Sequence, residues 1–369
     1  MVIVLSATVF IILLYHFYPL WLVLCSPKKE ARVVETDRIN KVSVILLVYN
    51  GVNYLKGKIN VLLKELSAFS EFELIIIDDN STDGSKELLA GYQNNSNIRL
   101  IMKEDHRGIP HSMNTGIETA KYDHVIFCDQ RQNLCCNIVQ KIVEPLRYSD
   151  AGAVSACISH FDKGNYYSPI RRFENYIKTR ESKIGSLIGV YGPFYAIKKA
   201  CYPGIPEYII LDDLYLSLKI MQHKQIRILE DCRIFDEDYS VTHGFERSKR
   251  YLKGFLQILN EKSLISNLNP RQKAMLIWHK YLRLLIPVFL FISYIGIGLM
   301  GFQNMYYLLL FSILTLLGII AVFQKFFRLE FWMNNFFRIN IFYALAIGDA
   351  LIKKFLPARM NSGRSGQAL

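Results

Sequence analysis

Hydrophobic residues along the chain come in solid blocks rather than in alternation with polar ones. Three blocks, 42–48 (VSVILLV), 72–77 (FELIII) and 124–128 (HVIFC), are rich in β-branched and aliphatic residues. Runs of this kind mark strands buried on both faces, which belong to parallel sheets covered by helices. Between the blocks, 55–66 and 85–92 space their apolar residues as helices do, so the pattern predicts the order β-α-β-α-β. A further buried strand is predicted over 151–158 and a helix over 214–223. Each of the first three strands ends in polar residues: Tyr49-Asn50, then Asp78-Asp79-Asn80-Ser81-Thr82-Asp83, then Asp129-Gln130-Arg131-Gln132. Ligands of open α/β sheets bind beyond the carboxyl ends of the strands, which is where these residues fall.

The ends of the chain read differently. Residues 1–24 carry no charge and are followed by Lys28, Lys29 and Arg32, which predicts an uncleaved transmembrane anchor over 1–25 and a polar linker over 26–40 on the cytoplasmic side. A signal peptide would need a basic start and a small-residue cleavage site, and neither is present. The large Leu24 before Cys25 argues against lipoprotein cleavage. Over 244–265, Leu252, Phe255, Leu256 and Leu259 form one stripe among Arg247, Lys249, Arg250 and Lys253, as in a helix lying at a membrane surface, and 244–283 is assigned to that role. The runs 284–302 and 305–323 each approach the length of a membrane span and are joined at Gln303-Asn304, predicting a helical hairpin. Arg328, Glu330, Arg338 and Asp349 make 326–355 costly to bury in lipid. It is expected to be interfacial or re-entrant, keeping the basic tail 356–369 cytoplasmic, whereas a further span would put that tail outside.

Composition agrees with a membrane protein carrying one large polar domain. The 369 residues are 51% hydrophobic, and 44 basic against 32 acidic residues give a net charge of +12. Lys28, Lys29, Lys280, Arg283, Lys325, Arg328, Lys353 and Lys354 flank apolar segments, so the excess suits an anionic leaflet and membrane lipids as partners, with no nucleic acid implied. Seven cysteines without a C-x-x-C pair indicate neither a zinc site nor a disulfide framework. So few spans beside so large a polar domain argue against a transporter.

Acids gathered at strand tips suit a hard cation, Mg²⁺ or Mn²⁺, bridging to the phosphates of a nucleotide. The first strand is not followed by G-x-G-x-x-G, and no phosphate loop G-x-x-x-x-G-K-[ST] occurs. The phosphates must therefore meet metal and side chains rather than a glycine-rich backbone cradle.

The succession Val44 to Asn50, Ile77-Asp78-Asp79-Asn80-Ser81-Thr82-Asp83, Gly108 to Gly116, Phe127-Cys128-Asp129, Gly192 to Lys199 and Leu211-Asp212-Asp213 resembles family 2 glycosyltransferases of the GT-A fold, over about 41–255. The resemblance implies a Rossmann-like, mixed but mainly parallel sheet in a catalytic domain over 41–243, with a nucleotide-binding half (41–132) and an acceptor half (133–243). It implies that Tyr49, Asn50, Asp78, Asp79 and Asn114 hold the nucleotide sugar, one of the aspartate pair meeting the base. His111 is left unassigned, and Ile109 stands where the family often has a lysine. Turn and helix-cap chemistry is the plainer account of Asp78 and Asp79, and helix capping that of Asp212 and Asp213. Members usually present Asp-x-Asp where this chain has Asp129-Gln130-Arg131, so Asp129 is the expected metal ligand, one ligand is lost and a cation gained. Asp213 is implied as the base for the acceptor hydroxyl, oriented by Asp212. Processive members carry Gln-x-x-Arg-Trp where Arg247 to Tyr251 stand here; Arg250 is kept, and it and Arg247 are expected to face the leaving diphosphate.

The expected protein is thus an inverting glycosyltransferase at the cytoplasmic face of the inner or plasma membrane, acting on a lipid-linked or growing glycan acceptor. The alternative, prompted by Arg131, is a weak or inactive scaffold of a polysaccharide or glycolipid assembly. Asp79, Asp129 and Asp213 are expected to face one cation-holding cleft.

Overall fold

A computed structural model describes residues 16–25, 33–35, 38–160, 169–236, 244–322 and 340–349. The chain divides into two compact units, one of Tyr18–Asp238 with Gln257–His279, the other of Met1–Phe17, Tyr239–Leu256 and Lys280–Leu369.

The first unit is built on one eight-stranded mixed sheet. Its strands are β1 (Lys41–Val48), β2 (Glu71–Asp78), β3 (Ile98–Met102), β4 (His124–Asp129), β5 (Asn133–Leu134), β6 (Ala151–His160), β7 (Phe194–Lys198) and β8 (Gln225–Asp236), in the spatial order β3-β2-β1-β4-β7-β6-β8-β5. The run β3-β2-β1-β4 is parallel throughout, with Val48 opposite Asp78 and Leu47 opposite Asp129. Its central positions Val44, Ile45, Leu46, Leu74, Ile75, Val125 and Ile126 are fully buried, as their unbroken apolar runs require. Helices α1 (Tyr18–Leu24), α2 (Val52–Leu66), α3 (Ser85–Ala90), α4 (Ile109–Thr119), α5 (Ile138–Val143), α6 (Pro169–Lys183) and α7 (Asp212–Ile220) complete the α/β part.

One difference from the pattern reading matters. Between the 85–92 helix and the 124–128 strand lies β3, so the order is β-α-β-α-β-α-β. Its five residues, Ile98 to Met102, include Arg99, whose guanidinium donates to the Thr119 carbonyl at 3.2 Å, and an edge strand so short lacks a solid apolar run. At the described end of the 1–25 segment, Tyr18 and Leu22 of α1 are buried, and the Tyr18 hydroxyl donates to Glu181 of α6 at 2.6 Å. Leu20 and Leu24 stay exposed, and residues 1–15 lie outside the described residues.

The 244–265 helix is two helices, Gly244–Asn260 and Lys262–Ser266. Of its expected stripe, Leu256 and Leu259 are exposed. Among the described residues one helix, Pro270–Gly301, is long and apolar enough to cross a membrane, and Met305–Val322 follows it after the turn at 303–304. Most of 326–355 lies outside the described residues; 340–349 is helical.

Close packing of α4 on the sheet sets the angle at which the 103–108 loop enters it. A Cβ at Gly116 would stand 2.7 Å from Ile45 Cγ2 and 2.8 Å from its Cδ1, in a fully buried position. Gly116→Val is therefore expected to lower stability by about 3 kcal/mol, the upper part of the overpacking range. The check is the denaturant midpoint at unchanged slope; a wild-type midpoint would show that α4 slides freely off β1.

Candidate active site

The chain goes from β1 to β2 and β3 on one side, then returns to β4 on the other, so the tips of β1 and β4 flank the point where the topology reverses. Crevices for ligands open at such points. Strand β7 runs antiparallel to β4 and starts at the same edge: Phe194 pairs with Cys128, and the Asp129 N–H donates to the Pro193 carbonyl at 2.9 Å.

Side chains lock the tips together. Asn50 sits in the left-handed region (φ 47°); its N–H donates to Ser81 Oγ at 2.9 Å and its Oδ1 accepts the Thr82 N–H at 2.8 Å. Asp83 accepts the first N–H of α2 from Val52 at 3.0 Å and that of α3 from Ser85 at 3.1 Å, so one carboxylate satisfies a free donor at the start of each helix. Gln130, the middle residue of the Asp129-Gln130-Arg131 stretch, donates to the Tyr49 carbonyl at 2.7 Å and accepts from the Tyr49 N–H at 3.3 Å. Its amide fills the space beside Gly51, where a Cβ would lie 2.0 Å from Oε1.

The acids are held by two sets of neighbours, one around Asp79 and one around Asp129 and Asp213. Asp79 is turned toward the loop after β3. Its Oδ1 accepts from Lys103 Nζ at 2.8 Å and the Arg107 N–H at 3.1 Å, and its Oδ2 from the Gly108 N–H at 2.7 Å, with His106 Nδ1 also 2.8 Å away. Burial alone would push this carboxyl up, but Lys103 and the two N–H groups outweigh it and hold the carboxyl below its usual range. Tyr49 stacks on the His106 ring with centroids 4.2 Å apart. Tyr49, His106 and Asp79 thus form an aromatic and acidic corner at the β1 and β2 tips.

The second group surrounds the Tyr191–Pro193 turn. Burial pushes the Asp129 carboxyl up to about 6; Arg131 and Lys58 oppose this, and the charges of Asp236 and Asp213 add to it. Gly192 packs against Asp213, whose Cβ would be 3.8 Å from a Cβ added there. Asp236, at the end of β8, accepts from Gln132 Nε2 at 3.3 Å, and Lys58 from α2 donates to the Gln132 carbonyl. The buried Tyr195 hydroxyl, close enough for the charges of Asp212, Asp213 and Asp129 to act on it, has no hydrogen-bond partner, nor does Gln132 Oε1.

These residues suit a hard divalent cation. Burial raises the Asp129 carboxyl in spite of Lys58 and Arg131, Asp213 and Asp236 add to the effect, and the donors are oxygens. Among the described residues no three His, Cys, Asp or Glu side chains are close enough to enclose an ion. Asp129 would therefore share it with the oxygens of a bound ligand and water.

The remaining predicted residues separate. Asp78 is fully buried and its Oδ2 accepts the Ser81 N–H at 3.0 Å, a turn role rather than a solvated one. Asn114 holds the 202–205 loop: it donates to the Ile205 carbonyl at 2.8 Å and accepts from the Tyr202 hydroxyl at 2.7 Å and the Ile205 N–H at 3.0 Å. Asp212 and Asp213 open α7, and Asp213 Oδ1 accepts the Leu214 N–H at 2.7 Å. Arg247 and Arg250 belong to the other compact unit, where Arg247 donates to the Tyr251 hydroxyl at 3.0 Å. Lys58, Lys103, His106 and Asp236 were not anticipated, and Gln132 was placed at a strand tip without a role. A lone lysine inside an apolar helical stripe, as at Lys58, was the one signal available.

Residues 43–201 match the family model described as glycosyl transferase family 2. The chain is 27% identical over 129 residues to the glycosyltransferase GlyG of Streptococcus pneumoniae, covering 34% of this chain and 42% of that protein. It is 23% identical over 195 residues to the poly-beta-1,6-N-acetyl-D-glucosamine synthase of Staphylococcus epidermidis, covering 50% of this chain and 47% of the synthase. The chain thus spans less than half the length of these curated relatives. Its fold is similar to that of a mannosyltransferase from Pyrobaculum calidifontis, solved with GDP-Man and Mn²⁺, at a TM-score of 0.77 and 18% identity over 96% of this chain and 99% of the other.

Lys103→Met leaves a buried carboxylate without its cation and should cost about 3 kcal/mol at pH 7. Because Asp79 titrates lower in the folded state than in the unfolded one, its contribution is present above the unfolded value of about 4 and lost as pH falls through the folded value. The gap between the two proteins in denaturant midpoint should therefore narrow below about pH 4; a gap independent of pH would mean that Lys103 acts by packing alone.

Proposed function

We propose that this chain, which belongs to glycosyltransferase family 2 through residues 43–201, moves a sugar from a nucleotide diphosphate donor to a hydroxyl of a lipid-linked or growing glycan at the cytoplasmic face of a membrane. The observation that carries the reading is the meeting of Asp129 and Asp213 at the Tyr191–Pro193 turn, beside the reversal point of the sheet. The apolar helix Pro270–Gly301 and the basic residues flanking the apolar segments support the membrane location.

The base of the nucleotide enters the corner of Tyr49 and Asp79, taking the place of the half-exposed His106 ring, while Lys103 and the two loop N–H groups keep the Asp79 carboxylate ionised and aimed. Asn50 and Asp78 fix the two tips that form this corner. Asp129 would hold the Mg²⁺ or Mn²⁺. A divalent cation bound there supplies positive charge to the departing diphosphate. At the other side of the turn, the acceptor hydroxyl attacks the anomeric carbon as the bond to the diphosphate breaks, and Asp213 takes its proton. Asp212, next to it in the first turn of α7, orients it, and one displacement inverts the configuration.

A screen of nucleotide sugars that measures released nucleotide tests this directly. Asp213→Asn is expected to lower transfer by about 10²- to 10⁴-fold while nucleotide affinity stays near wild type. Asp129→Asn should remove the Mn²⁺-dependent part of nucleotide binding in calorimetry. If no nucleotide sugar is hydrolysed or transferred, and Mn²⁺ with nucleotide gives no heat, the scaffold reading prompted by Arg131 takes over.

A further inference from the structure

Away from the carboxylates, α6, Cys157 of β6 and Glu230 and Arg233 of β8 line an open cavity of about 390 Å³. Four cations line it, Arg172, Arg180, Lys183 and Arg233, against one carboxylate, Glu230. That imbalance has a structural origin. The register of β6 on β8 jumps from Ala156 opposite Leu229 to Cys157 opposite Arg233, so three extra residues, Glu230 to Cys232, bulge from β8. The bulge places Arg233 beside α6, and its Nε donates to the Glu230 carbonyl at 3.0 Å. Lys183 reaches Glu230 Oε1 only at 3.8 Å, and both side chains are more than half exposed, so this pair neutralises little. The Arg180 guanidinium lies over the Tyr176 ring at 5.2 Å, which steadies it on the cavity wall.

One hydrogen-bonded residue links the cavity to the Tyr191–Pro193 turn. Asn175, which lines the cavity, donates to the Ile158 carbonyl at 2.9 Å and accepts from the Tyr191 hydroxyl at 2.8 Å. Tyr191 leads directly into Gly192 and Pro193, which touch Asp213 and Asp129. Strands β4, β6 and β8 all end at this edge of the sheet.

We propose that this cavity is an anion site for a phosphate or diphosphate group of the acceptor, held by Arg172, Arg180, Lys183 and Arg233 while the acceptor hydroxyl reaches Asp213 past the Asn175–Tyr191 hydrogen bond. Arginine forks match phosphate oxygens in pairs, and the volume suits a phosphorylated headgroup better than a polymer chain. The site rests on the glycosyltransferase reading for its purpose but not for its chemistry.

The test uses the full-length protein in EDTA, so that metal-assisted binding at Asp129 is suppressed, with inorganic pyrophosphate as the probe in calorimetry. Wild type should bind, more weakly as salt rises. Arg180→Gln/Arg233→Gln should weaken binding about tenfold or more, whereas Lys41→Gln, an exposed cation on β1, should not. Thermal melting checks the fold, and the single variants serve if the double one melts early, each expected to weaken binding about threefold. Absence of wild-type binding, or undiminished binding in the arginine variants, overturns the site. Displacement of pyrophosphate by phosphatidylglycerol vesicles but not phosphatidylcholine vesicles makes the group a lipid headgroup; displacement by glucose 1-phosphate makes it a water-soluble one. Displacement by neither overturns its assignment to an acceptor. Since no transfer is needed, a chain inactive on every nucleotide sugar can still pass this test, and an active one can fail it.

Discussion

The register between β1 and β4 is the constraint on which the rest depends. With Leu47 opposite Asp129 and Val48 opposite Asp78, the parallel strands end level, and each delivers its polar tip to the same edge. A slip of one residue would swap every side chain of the slipped strand between the two packed faces, mismatching the layers around core positions such as Ile45, and would shift its polar tip by about 3.3 Å along the strand. The apolar positions, buried on both faces, thus hold the chemistry in place from below. The antiparallel entry of β7 then adds what the parallel strands cannot supply, a second chain segment arriving at Asp129 from the acceptor half.

Burial of carboxylates is the cost of this arrangement, and the chain meets it differently on the two sides of β1. Asp79 is compensated within the protein: an ammonium and two backbone N–H groups converge on it, so it stays charged without help. Asp129 is under-compensated, with Lys58 and Arg131 outweighed by burial and by the neighbouring Asp213 and Asp236. A site that binds cation and phosphate together needs that difference. One acid is preorganised for recognition, and the other is left with a charge deficit that a ligand makes good.

Gln130 and Arg131 take on meaning in this setting. Gln130 ties the β4 tip to the Tyr49 backbone, work that a carboxylate could not do because it lacks the N–H donor for the Tyr49 carbonyl. Arg131 lowers the Asp129 carboxyl, standing in charge, though not in geometry, for part of what a cation provides.

The pattern of apolar runs determined the parallel core and the positions of the strand tips, because apolar runs and the polar residues that end them are local properties, while the roles of Tyr49, Asp79, Asp129 and Asp213 came from the resemblance of the motifs. The short edge strand Ile98–Met102 escaped that reading because it has too few residues for a period to show. Only the tertiary structure decided which side chains answer the acids. Lys103 meets Asp79 across 24 positions and Gln132 meets Asp236 across 104, and partners so distant in sequence leave no spacing to read. The structure also turned Asn114 to the 202–205 loop and Asp79 to the loop after β3, because a buried polar group takes whichever donor or acceptor the packing brings within hydrogen-bond reach.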